Sequence, residues 1–505
     1  MIRIAALALA VATAAEPPRA LSLLVWGDLH GDPAPKLFSW VDSLRRKADT
    51  QHYPLLALDA GDAIFGSDLA FASQGTSQAT VLNLVQPDAI TLGTRDFWWS
   101  RDRLDSIIGS LQVPVLTSNI LHALSDKPYG GKSWAMWDFD GLRVGVVGVA
   151  DPELDAAERP SKAYDLRANE PAEQVASAIE ALKQRNAELV VVLSHAGAEA
   201  DAALARTVPG IHLIVGARDE SQTAEMRKEG DTWVVRAPSG SSSLKEIEIS
   251  LGGGTVAITE NVTSPPAGIA IVPEWKPTFD SLADFLKSKS EAMAGTLSEP
   301  WPKTAREGHL GNFLADALRH ESGADIAFWP ASAVLAGLPK GKVTMGDLWK
   351  TVPPPEQVSL FELPGSDVQK VLLRQMRQPK EFLFLSGASC TSDSSRFGGS
   401  PIQVFVDGKP IQSSGRYKIA IPLSVRNRIY DLTGLSLQSA GPLYMERWDR
   451  DMIENYAREK GLATTLGRVP AMYGASTPAP SDPAKPKKST ARSKPKAAKA
   501  VPAGK

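Results

Sequence analysis

The chain has 505 residues, which is more than one hydrophobic core usually serves, so two domains with flanking tails are expected. With 43% hydrophobic and 22% charged residues, its composition is that of an ordinary globular protein rather than a disordered one. A net charge of −2 gives no general case for a nucleic-acid partner, and the single cysteine, Cys390, excludes an internal disulfide and is expected to be a small buried group.

The N-terminus has the pattern of a secretory signal peptide. Arg3 precedes a short apolar stretch, Ile4 to Val11, and the residues from Ala12 to Ala15 resemble a cleavage site. The stretch is too short to span a bilayer, and Pro17-Pro18 would interrupt its continuation into a strand. We therefore expect a signal peptide over residues 1–15, export to the periplasm or secretion, and no transmembrane segment.

The first half of the chain alternates apolar runs with helical patterns, which predicts an α/β domain over residues 20–263. Helices are expected after the first run and after Pro171, and a hairpin is expected around Gly252-Gly253-Gly254. The pattern predicts a mixed sheet or a pair of sheets covered by helices. The predicted strands are Ser22–Trp26, Leu55–Leu58, Ala89–Leu92, Val113–Leu116, Leu142–Val149, Leu189–Leu193, Leu213–Val215, Leu244–Leu251 and Thr255–Val262.

The proline pair in Ser264–Gly268 indicates a boundary, followed by a linker over residues 264–298 that carries a helix from Ser281 to Met293. A second, α+β domain is expected over residues 299–473. Its predicted elements are a helix with Leu310, Phe313, Leu314 and Leu318 on one face, a strand at Asp325–Phe328, and strands Ile402–Val406 and Tyr417–Pro422 around the turn Asp407-Gly408.

The last segment, residues 474–505, is rich in Ala, Pro, Lys and Ser and is expected to be disordered. From Ala475 onward it carries eight Lys or Arg and one acid, so the rest of the chain has a net charge of −9. If this basic tail binds a partner, anionic polymers of the cell envelope are the expected target, through weak and salt-sensitive attraction.

Five apolar runs of the first domain end in short polar stretches, and ligands of α/β sheets bind beyond such strand ends. Carboxylates combined with imidazole suit Zn, Mn and similar ions, and two such ions can clamp the oxygens of a phosphoryl displacement. Asp28 and His30 are two residues apart, so in an extended segment both would point to the same side. The candidate ligands of a divalent metal are Asp28, His30, Asp62, His195 and Glu220.

These stretches resemble, in order and spacing, the 5'-nucleotidase family of calcineurin-like metallophosphoesterases, which includes the secreted UDP-sugar hydrolases. The family motifs D-x-H-G, G-D, G-N-H-[DE]-F, S-H-x-G and G-H-x-H correspond to Asp28–Gly31, Gly61-Asp62, Gly93–Phe97, Ser194–Gly197 and Ala217–Glu220. In the second half, Arg306–Ala317 and Gly341–Leu348 are similar to landmarks of the family's C-terminal domain. The resemblance implies a four-layer αββα metallophosphoesterase domain, a 5'-nucleotidase C-terminal domain, and a nucleotide or related phosphate ester as substrate.

The chain departs from the family where the resemblance places a second ion. The implied first ion is held by Asp28, His30, Asp62 and Glu220, the last of which is a histidine in the family. The second would use Asp62, His195, an asparagine that is Thr94 here and a histidine that is Arg218 here. Arginine cannot ligate a metal, so one bound ion is expected rather than two.

The candidate catalytic residues are Arg95 and Asp96, in the motif Gly93–Phe97, and Arg218, a cation where the family has a metal-binding histidine. Arg95 replaces the histidine that assists the leaving group, and losing a general acid costs about 10²–10⁴ in rate. The phosphate-binding segment N-x-G-G-x-R of the second domain reads Trp329–Val334 here, and the glycine-rich loop that helps to stack the nucleobase reads Leu423–Asn427.

Two hypotheses about function stay open. In the first, the protein is an impaired or single-metal phosphoester hydrolase in which Arg95 and Arg218 neutralise the phosphoryl oxygens. In the second, it is a catalytically dead pseudoenzyme that binds a ligand or acts as a scaffold in the envelope. The aromatic run Phe97-Trp98-Trp99 is expected to pack in the core under both hypotheses rather than to bind a nucleobase.

Overall fold

The computed structural model describes residues 19–152, 165–218, 226–252, 255–377, 381–391, 402–434 and 442–468. Three predicted features, the signal peptide, Glu220 and the basic tail, lie outside these residues. Within the described ranges, no helix combines the length and the apolar character that crossing a bilayer requires.

The N-terminal half contains fifteen strands and six α-helices among its described residues. The strands are β1 (Arg19–Trp26), β2 (Leu55–Asp59), β3 (Ala89–Ile90), β4 (Val115–Leu116), β5 (Ile120–His122), β6 (Gly131–Lys132), β7 (Trp134–Phe139), β8 (Leu142–Val149), β9 (Leu166–Ala168), β10 (Leu189–Ser194), β11 (Leu213–Gly216), β12 (Arg227–Glu229), β13 (Thr232–Arg236), β14 (Leu244–Gly252) and β15 (Thr255–Thr263). The helices are α1 (Pro35–Thr50), α2 (Asp68–Ala72), α3 (Thr76–Val85), α4 (Arg101–Ser110), α5 (Pro171–Lys183) and α6 (Ala198–Thr207).

Most of these strands form two large mixed sheets. In the first, β1, β2, β3, β4 and β6 are parallel neighbours in that order, and the predicted hairpin β14–β15 adds to β1 in antiparallel pairing. In the second, β8, β10, β11 and β13 are parallel neighbours, with antiparallel β7 and β12 at the edges. Parallel neighbours bring their carboxyl ends to one edge of each sheet, and the predicted site residues follow those ends.

The two sheets pack face to face, with helices on their outer faces. Because side chains alternate along a strand, Leu23 of β1 joins the core between the sheets, whereas Trp26 packs against Phe38 of α1 with ring centroids 5.7 Å apart. In the same way, Val191 of β10 faces the core between the sheets and Val192 packs with α5 and α6 on the outside. The predicted four-layer αββα arrangement is confirmed.

The second half is an α+β unit, also as predicted. Its strands are β16 (Met293–Leu297), β17 (Ile326–Pro330), β18 (Gly341–Thr344), β19 (Gln357–Pro364), β20 (Leu383–Ser386), β21 (Ala388–Thr391), β22 (Gln403–Val406), β23 (Lys409–Pro410), β24 (Arg416–Pro422) and β25 (Pro442–Trp448). The central sheet has the strand order β20-β17-β24-β19-β25. The helices of this half are α7 (Lys276–Ser290), α8 (His309–Ser322), α9 (Met345–Trp349), α10 (Gly365–Arg377), α11 (Leu423–Asn427), α12 (Ile429–Thr433) and α13 (Asp449–Lys460). Cys390 is buried, as predicted.

Two predicted elements of this half need correction. The sequence pattern carries the linker helix to Met293, but α7 ends at Ser290 and Met293 begins β16, where it pairs with Thr344 of β18. The turn Asp407-Gly408 connects β22 to the two-residue strand β23 rather than to β24, which pairs with β17 and β19. Long-range pairing decides the place of Met293 and of β24, which a local pattern does not encode, whereas the turn Asp407-Gly408 closes a short local hairpin.

An aromatic cluster joins the two halves. Trp448, at the end of β25, stacks on Phe65 with ring centroids 5.1 Å apart and meets Trp99 edge to face at 5.9 Å. Nearby, Arg450 Nη1 donates to Asp68 Oδ1 across the same contact at 2.6 Å. Trp99 therefore packs in a core, as expected for the run Phe97-Trp98-Trp99.

Candidate metal centre

The loops after β1, β2 and β10 bring three of the predicted ligands together. Asp28, Asp62 and His195 are buried, and one ligand atom from each lies within 4.8 Å of the other two. Nε2 of His195 is 3.7 Å from Asp28 Oδ1 and 3.5 Å from Asp62 Oδ2, distances longer than a normal hydrogen bond. Among the described residues, this buried nitrogen has no hydrogen-bond partner. A divalent cation between the three groups would satisfy it.

The other nitrogen of His195 fixes the ring in the orientation that ligation needs. Nδ1 lies 2.7 Å from the carbonyl oxygen of Ala60, and because a carbonyl can only accept, Nδ1 carries the proton in this contact. A second hydrogen bond of this kind is the usual support of a metal-binding histidine. Nε2 is therefore the atom that the fold presents to the two carboxylates.

His30 lies beside this group. Its Nδ1 is 3.7 Å from Asp62 Oδ2 and is likewise buried without a hydrogen-bond partner in the described part of the chain. His30 could thus be a fourth ligand of the same ion. Glu220, the other predicted ligand, is outside the described residues and stays a prediction.

The main chain at these positions is strained. Asp28, His30 and Asp62 have φ angles of 51°, 49° and 56°, in the left-handed region that residues other than glycine rarely occupy. The expectation that Asp28 and His30 share one side of an extended segment is therefore wrong, although both do reach Asp62. Strained backbone of this kind is concentrated at functional sites, where the surrounding structure enforces it.

Glycines make the close approach of the loops possible. A Cβ atom at Gly93 would be 2.2 Å from Asp62 Oδ1, and one at Gly61 would be 2.8 Å from His195 Nδ1. Any side chain at these positions would displace a candidate ligand. The glycines of the predicted motifs are thus explained by the geometry of the site.

Asp96 holds the loop that carries Asp62. Its fully buried carboxylate accepts hydrogen bonds from the backbone amides of Asp62, Ile64 and Gly93 at 3.0, 2.8 and 2.9 Å. Burial, and then the charge of Asp62, raises the pKa of Asp96 to about 7. These contacts make Asp96 a positioning residue for Asp62, and its catalytic role stays a prediction.

The ionisation of the three central groups is interdependent. Burial raises the pKa of Asp28. Burial also opposes ionisation of Asp62 and protonation of His195, but the charges of the opposite partners outweigh it, so the pKa of Asp62 is lowered and that of His195 is raised to about 9. The two carboxylates therefore favour a positive charge between them, which a proton on His195 or a metal ion can supply.

Arg95 is a cation at the edge of the centre. Its backbone amide donates to Asp62 Oδ1 at 2.7 Å, and its guanidinium lies 5.9 Å from the centre of the Trp98 ring. Its charge lowers the pKa of His30, although burial of the imidazole contributes more to that shift. Within the described residues, the guanidinium of Arg95 has no carboxylate partner.

Arg218 also reaches the centre, but its guanidinium is engaged. Its Nη1 donates to Asp151 Oδ1 at 3.0 Å and to the carbonyl oxygen of Ala196 at 3.1 Å. Its backbone forms a hydrogen bond with the carboxylate of Asp28. The two arginines that the sequence placed in the site are therefore both there, in different electrostatic situations.

Asp151 is a residue of the site that the sequence analysis missed. It follows β8 at the same sheet edge, is 1% exposed, and accepts a hydrogen bond from Thr94 Oγ1 on Oδ2 at 2.8 Å in addition to its contact with Arg218. The available signal was its position directly after the apolar run Leu142–Val149. No motif marks it, so the sequence alone does not single it out.

In the second half, the segments that replace the family's phosphate and nucleobase loops are structural. Trp329 is fully buried in β17, and the turn after it is tied to Glu381, whose carboxylate accepts from the Ser332 amide at 2.8 Å. Leu423–Asn427, in place of the nucleobase loop, forms α11, in which Val425 is fully buried. The described residues therefore place core packing where the sequence lacks the family's ligand-binding motifs.

Comparison with known proteins agrees with this architecture. A family model described as "5'-nucleotidase, C-terminal domain" matches residues 290–423. The chain is 23% identical over 393 residues to the "Trifunctional nucleotide phosphoesterase protein YfkN" of Bacillus subtilis (strain 168), a match that covers 68% of this chain and 26% of YfkN. It is 20% identical over 462 residues to "Protein UshA" of Yersinia enterocolitica, covering 78% of this chain and 82% of UshA.

Among solved structures, a 5'-nucleotidase precursor from Thermus thermophilus matches with a TM-score of 0.57 and 19% identity, over 90% of this chain and all of that one. This likeness concerns the fold. Residues 290–423 thus match the 5'-nucleotidase C-terminal domain, the chain is 20–23% identical to YfkN and UshA over 68–78% of its length, and its fold is shared with a solved 5'-nucleotidase.

Proposed function

We infer that the protein is an exported phosphoester hydrolase that works with a single divalent ion, Zn or Mn or similar, on a nucleotide or related phosphate ester. The observation that carries the inference is the convergence of Asp28, Asp62 and His195 around a buried ring nitrogen that lacks a partner among the described residues. YfkN, to which the chain is similar, is named a nucleotide phosphoesterase, and this supports the substrate class.

The proposed ion would be held by Asp28, Asp62 and His195, with His30 beside them and Glu220 as a further candidate. His195, which the resemblance assigns to a second ion, here lies close enough to Asp28 and Asp62 to share one site with them. When bound, the ion supplies electrostatic stabilisation for the charge of the phosphoryl group and for the attacking water. Asp96 maintains the Asp62 loop through its three backbone hydrogen bonds.

The arginines would bind the phosphoryl oxygens. A guanidinium presents several N–H donors in one plane and pairs well with phosphate, and Arg95 has no competing carboxylate among the described residues. Arg218 could contribute from the opposite loop, although its contact with Asp151 reduces its share. Neither guanidinium can donate a proton to a leaving group, because both stay charged at any physiological pH. Turnover is therefore expected to be slow.

The test combines metal content with turnover. The chain should bind one ion and hydrolyse at least one member of a panel of nucleotides and sugar nucleotides in the presence of Mn²⁺, Zn²⁺ or Ca²⁺. Asp62→Asn should lose both properties without losing fold stability, whereas Asp284→Asn, which alters an exposed carboxylate on α7, should keep them. Uptake without turnover of any phosphate ester would contradict the proposal.

The second hypothesis, a pseudoenzyme, is favoured by the engagement of Arg218 with Asp151 and by the buried Trp329 in place of a phosphate-binding segment. In that case the fold would serve as a ligand-binding or scaffold protein of the envelope, to which the basic tail could attach it. Neither metal uptake nor turnover would then be observed. Export itself is tested by fractionation and by N-terminal sequencing of the mature chain, which should begin after residue 15.

A further inference from the structure

We propose that the salt bridge between Asp151 and Arg218, together with Thr94, takes the place of a second cation and keeps that part of the centre closed to metal. The inference rests on the proposed function only in taking Asp28, Asp62 and His195 as the place of the first ion. It concerns Asp151 and the two residues that donate hydrogen bonds to it, Thr94 and Arg218.

The three residues come from loops of both sheets and meet next to the candidate ligands. Thr94 follows β3 in the first sheet, whereas Asp151 and Arg218 follow β8 and β11 in the second. The salt bridge is also tied to both ligand carboxylates through the main chain. The backbone of Arg218 bonds to Asp28, and the amide of Arg95, the residue after Thr94, donates to Asp62.

Both carboxylate oxygens of Asp151 accept hydrogen bonds from the other two residues of this corner. Oδ1 of Asp151 accepts from Arg218 Nη1 at 3.0 Å, and Oδ2 accepts from Thr94 Oγ1 at 2.8 Å. The only good hard ligand among the three, the carboxylate, is therefore already bonded on both oxygens. This contrasts with His195, whose Nε2 has no partner within the described residues.

Charge excludes a cation from this corner as well. A guanidinium is protonated at all relevant pH values, offers no lone pair to a metal, and repels a cation placed within a few ångströms. The side chain of Asp151 is 2% exposed and that of Arg218 is 29% exposed, so solvent screens their interaction only in part. The guanidinium of Arg218 balances the negative charge of Asp151. It thus supplies the positive charge that a second ion would have brought.

The experiment replaces the two groups that block ligation and measures metal per chain. Thr94→Asn with Arg218→His introduces an amide oxygen and an imidazole, both of which are metal ligands, and frees the Asp151 carboxylate. After dialysis against Mn²⁺ or Zn²⁺, elemental analysis of the full chain should show about one ion more in this double variant than in the unaltered chain. Arg95→His is the matched control, since it places a histidine in the same centre without touching the salt bridge, and its metal content should not rise.

The quantity compared is the metal content of the double variant minus that of the unaltered chain, so the result does not depend on whether the chain hydrolyses phosphate esters. A folded double variant that binds no more metal than the unaltered chain overturns the inference, whatever the unaltered chain binds. An unaltered chain that already binds two ions also overturns it. If the double variant does not fold, as judged by circular dichroism and thermal melting, Arg218→Gln carries the same expectation, because it removes the blocking charge and leaves Asp151 available. Loss of turnover alone bears on the proposed function and not on this inference.

Discussion

The two sides of the metal centre lie at the carboxyl ends of strands from the same two sheets, and each contains at least one buried aspartate, yet only one side has unsatisfied atoms among the described residues. On one side, Asp28, Asp62 and His195 surround a buried nitrogen without a partner in the described structure. On the other, Thr94, Asp151 and Arg218 satisfy one another through hydrogen bonds of 2.8 and 3.0 Å. The difference teaches that residue type and hydrogen-bond satisfaction together separate a place for a ligand from a closed one.

The largest expected effect is on the open side, formed by Asp28, Asp62 and His195. Asp62→Asn should reduce hydrolysis by about 10³-fold or more, roughly 4 kcal/mol in transition-state stabilisation, because it weakens the hold on the ion and removes a negative charge that faces both histidines. Turnover numbers measured with saturating metal would show it. Turnover within a few-fold of the unaltered chain would mean that chemistry occurs elsewhere.

On the closed side, formed by Thr94, Asp151 and Arg218, substitutions should instead lower the free energy of unfolding. Asp151→Ala removes a buried carboxylate that accepts hydrogen bonds from Arg218 and Thr94, which should cost about 1–3 kcal/mol in unfolding free energy. Urea unfolding should show this loss. The double variant Asp151→Ala with Arg218→Ala should recover part of it, and a loss that is simply additive would mean that the pair is not coupled.

Arg95 sharpens the comparison between the two guanidinium groups. Arg95→Ala should lower kcat/KM by about 10- to 100-fold, since it removes the guanidinium that we propose binds the phosphoryl oxygens, and Arg95→Lys should restore part of the loss. Unfolding should change little, because Arg95 has no carboxylate partner among the described residues. A large change in stability with unaltered kinetics would instead assign Arg95 to the scaffold.

The smallest effect is expected at Asp96, which supports the loop that carries Asp62. Asp96→Asn replaces one acceptor oxygen by a donor facing the backbone amides of the Asp62 loop, which should cost about 1–2 kcal/mol in unfolding free energy. Metal affinity should fall together with stability, since the same loop carries Asp62. Titration calorimetry with Mn²⁺ measures the change in affinity, and unchanged affinity would show that Asp62 keeps its position without Asp96.

The fold could be predicted from the sequence where burial is dense. The long apolar runs of β1, β8 and β10 are buried on both faces and appear in the sequence as continuous hydrophobic stretches. The helical pattern includes Met293 because its spacing continues that of Leu282, Phe285 and Leu286, whereas pairing with β18 decides its conformation.

The site was predictable only in part. Asp28, Asp62 and His195 stand in motifs directly after predicted strands, so their convergence followed from the sheet. Asp151 carries no motif, and its partners Thr94 and Arg218 are 57 and 67 residues away in the chain. The contact with Arg218 arises from the order of strands within the second sheet and the contact with Thr94 from the packing of one sheet on the other, and no local pattern of residues records either.

The most direct test of the whole account is the number of metal ions bound by the unaltered chain after dialysis against Mn²⁺ or Zn²⁺. One ion per chain is expected, because of the two sides described only the one formed by Asp28, Asp62 and His195 has an unsatisfied ligand atom. Two ions per chain would contradict the central claim that the salt bridge of Asp151 and Arg218 occupies the other place.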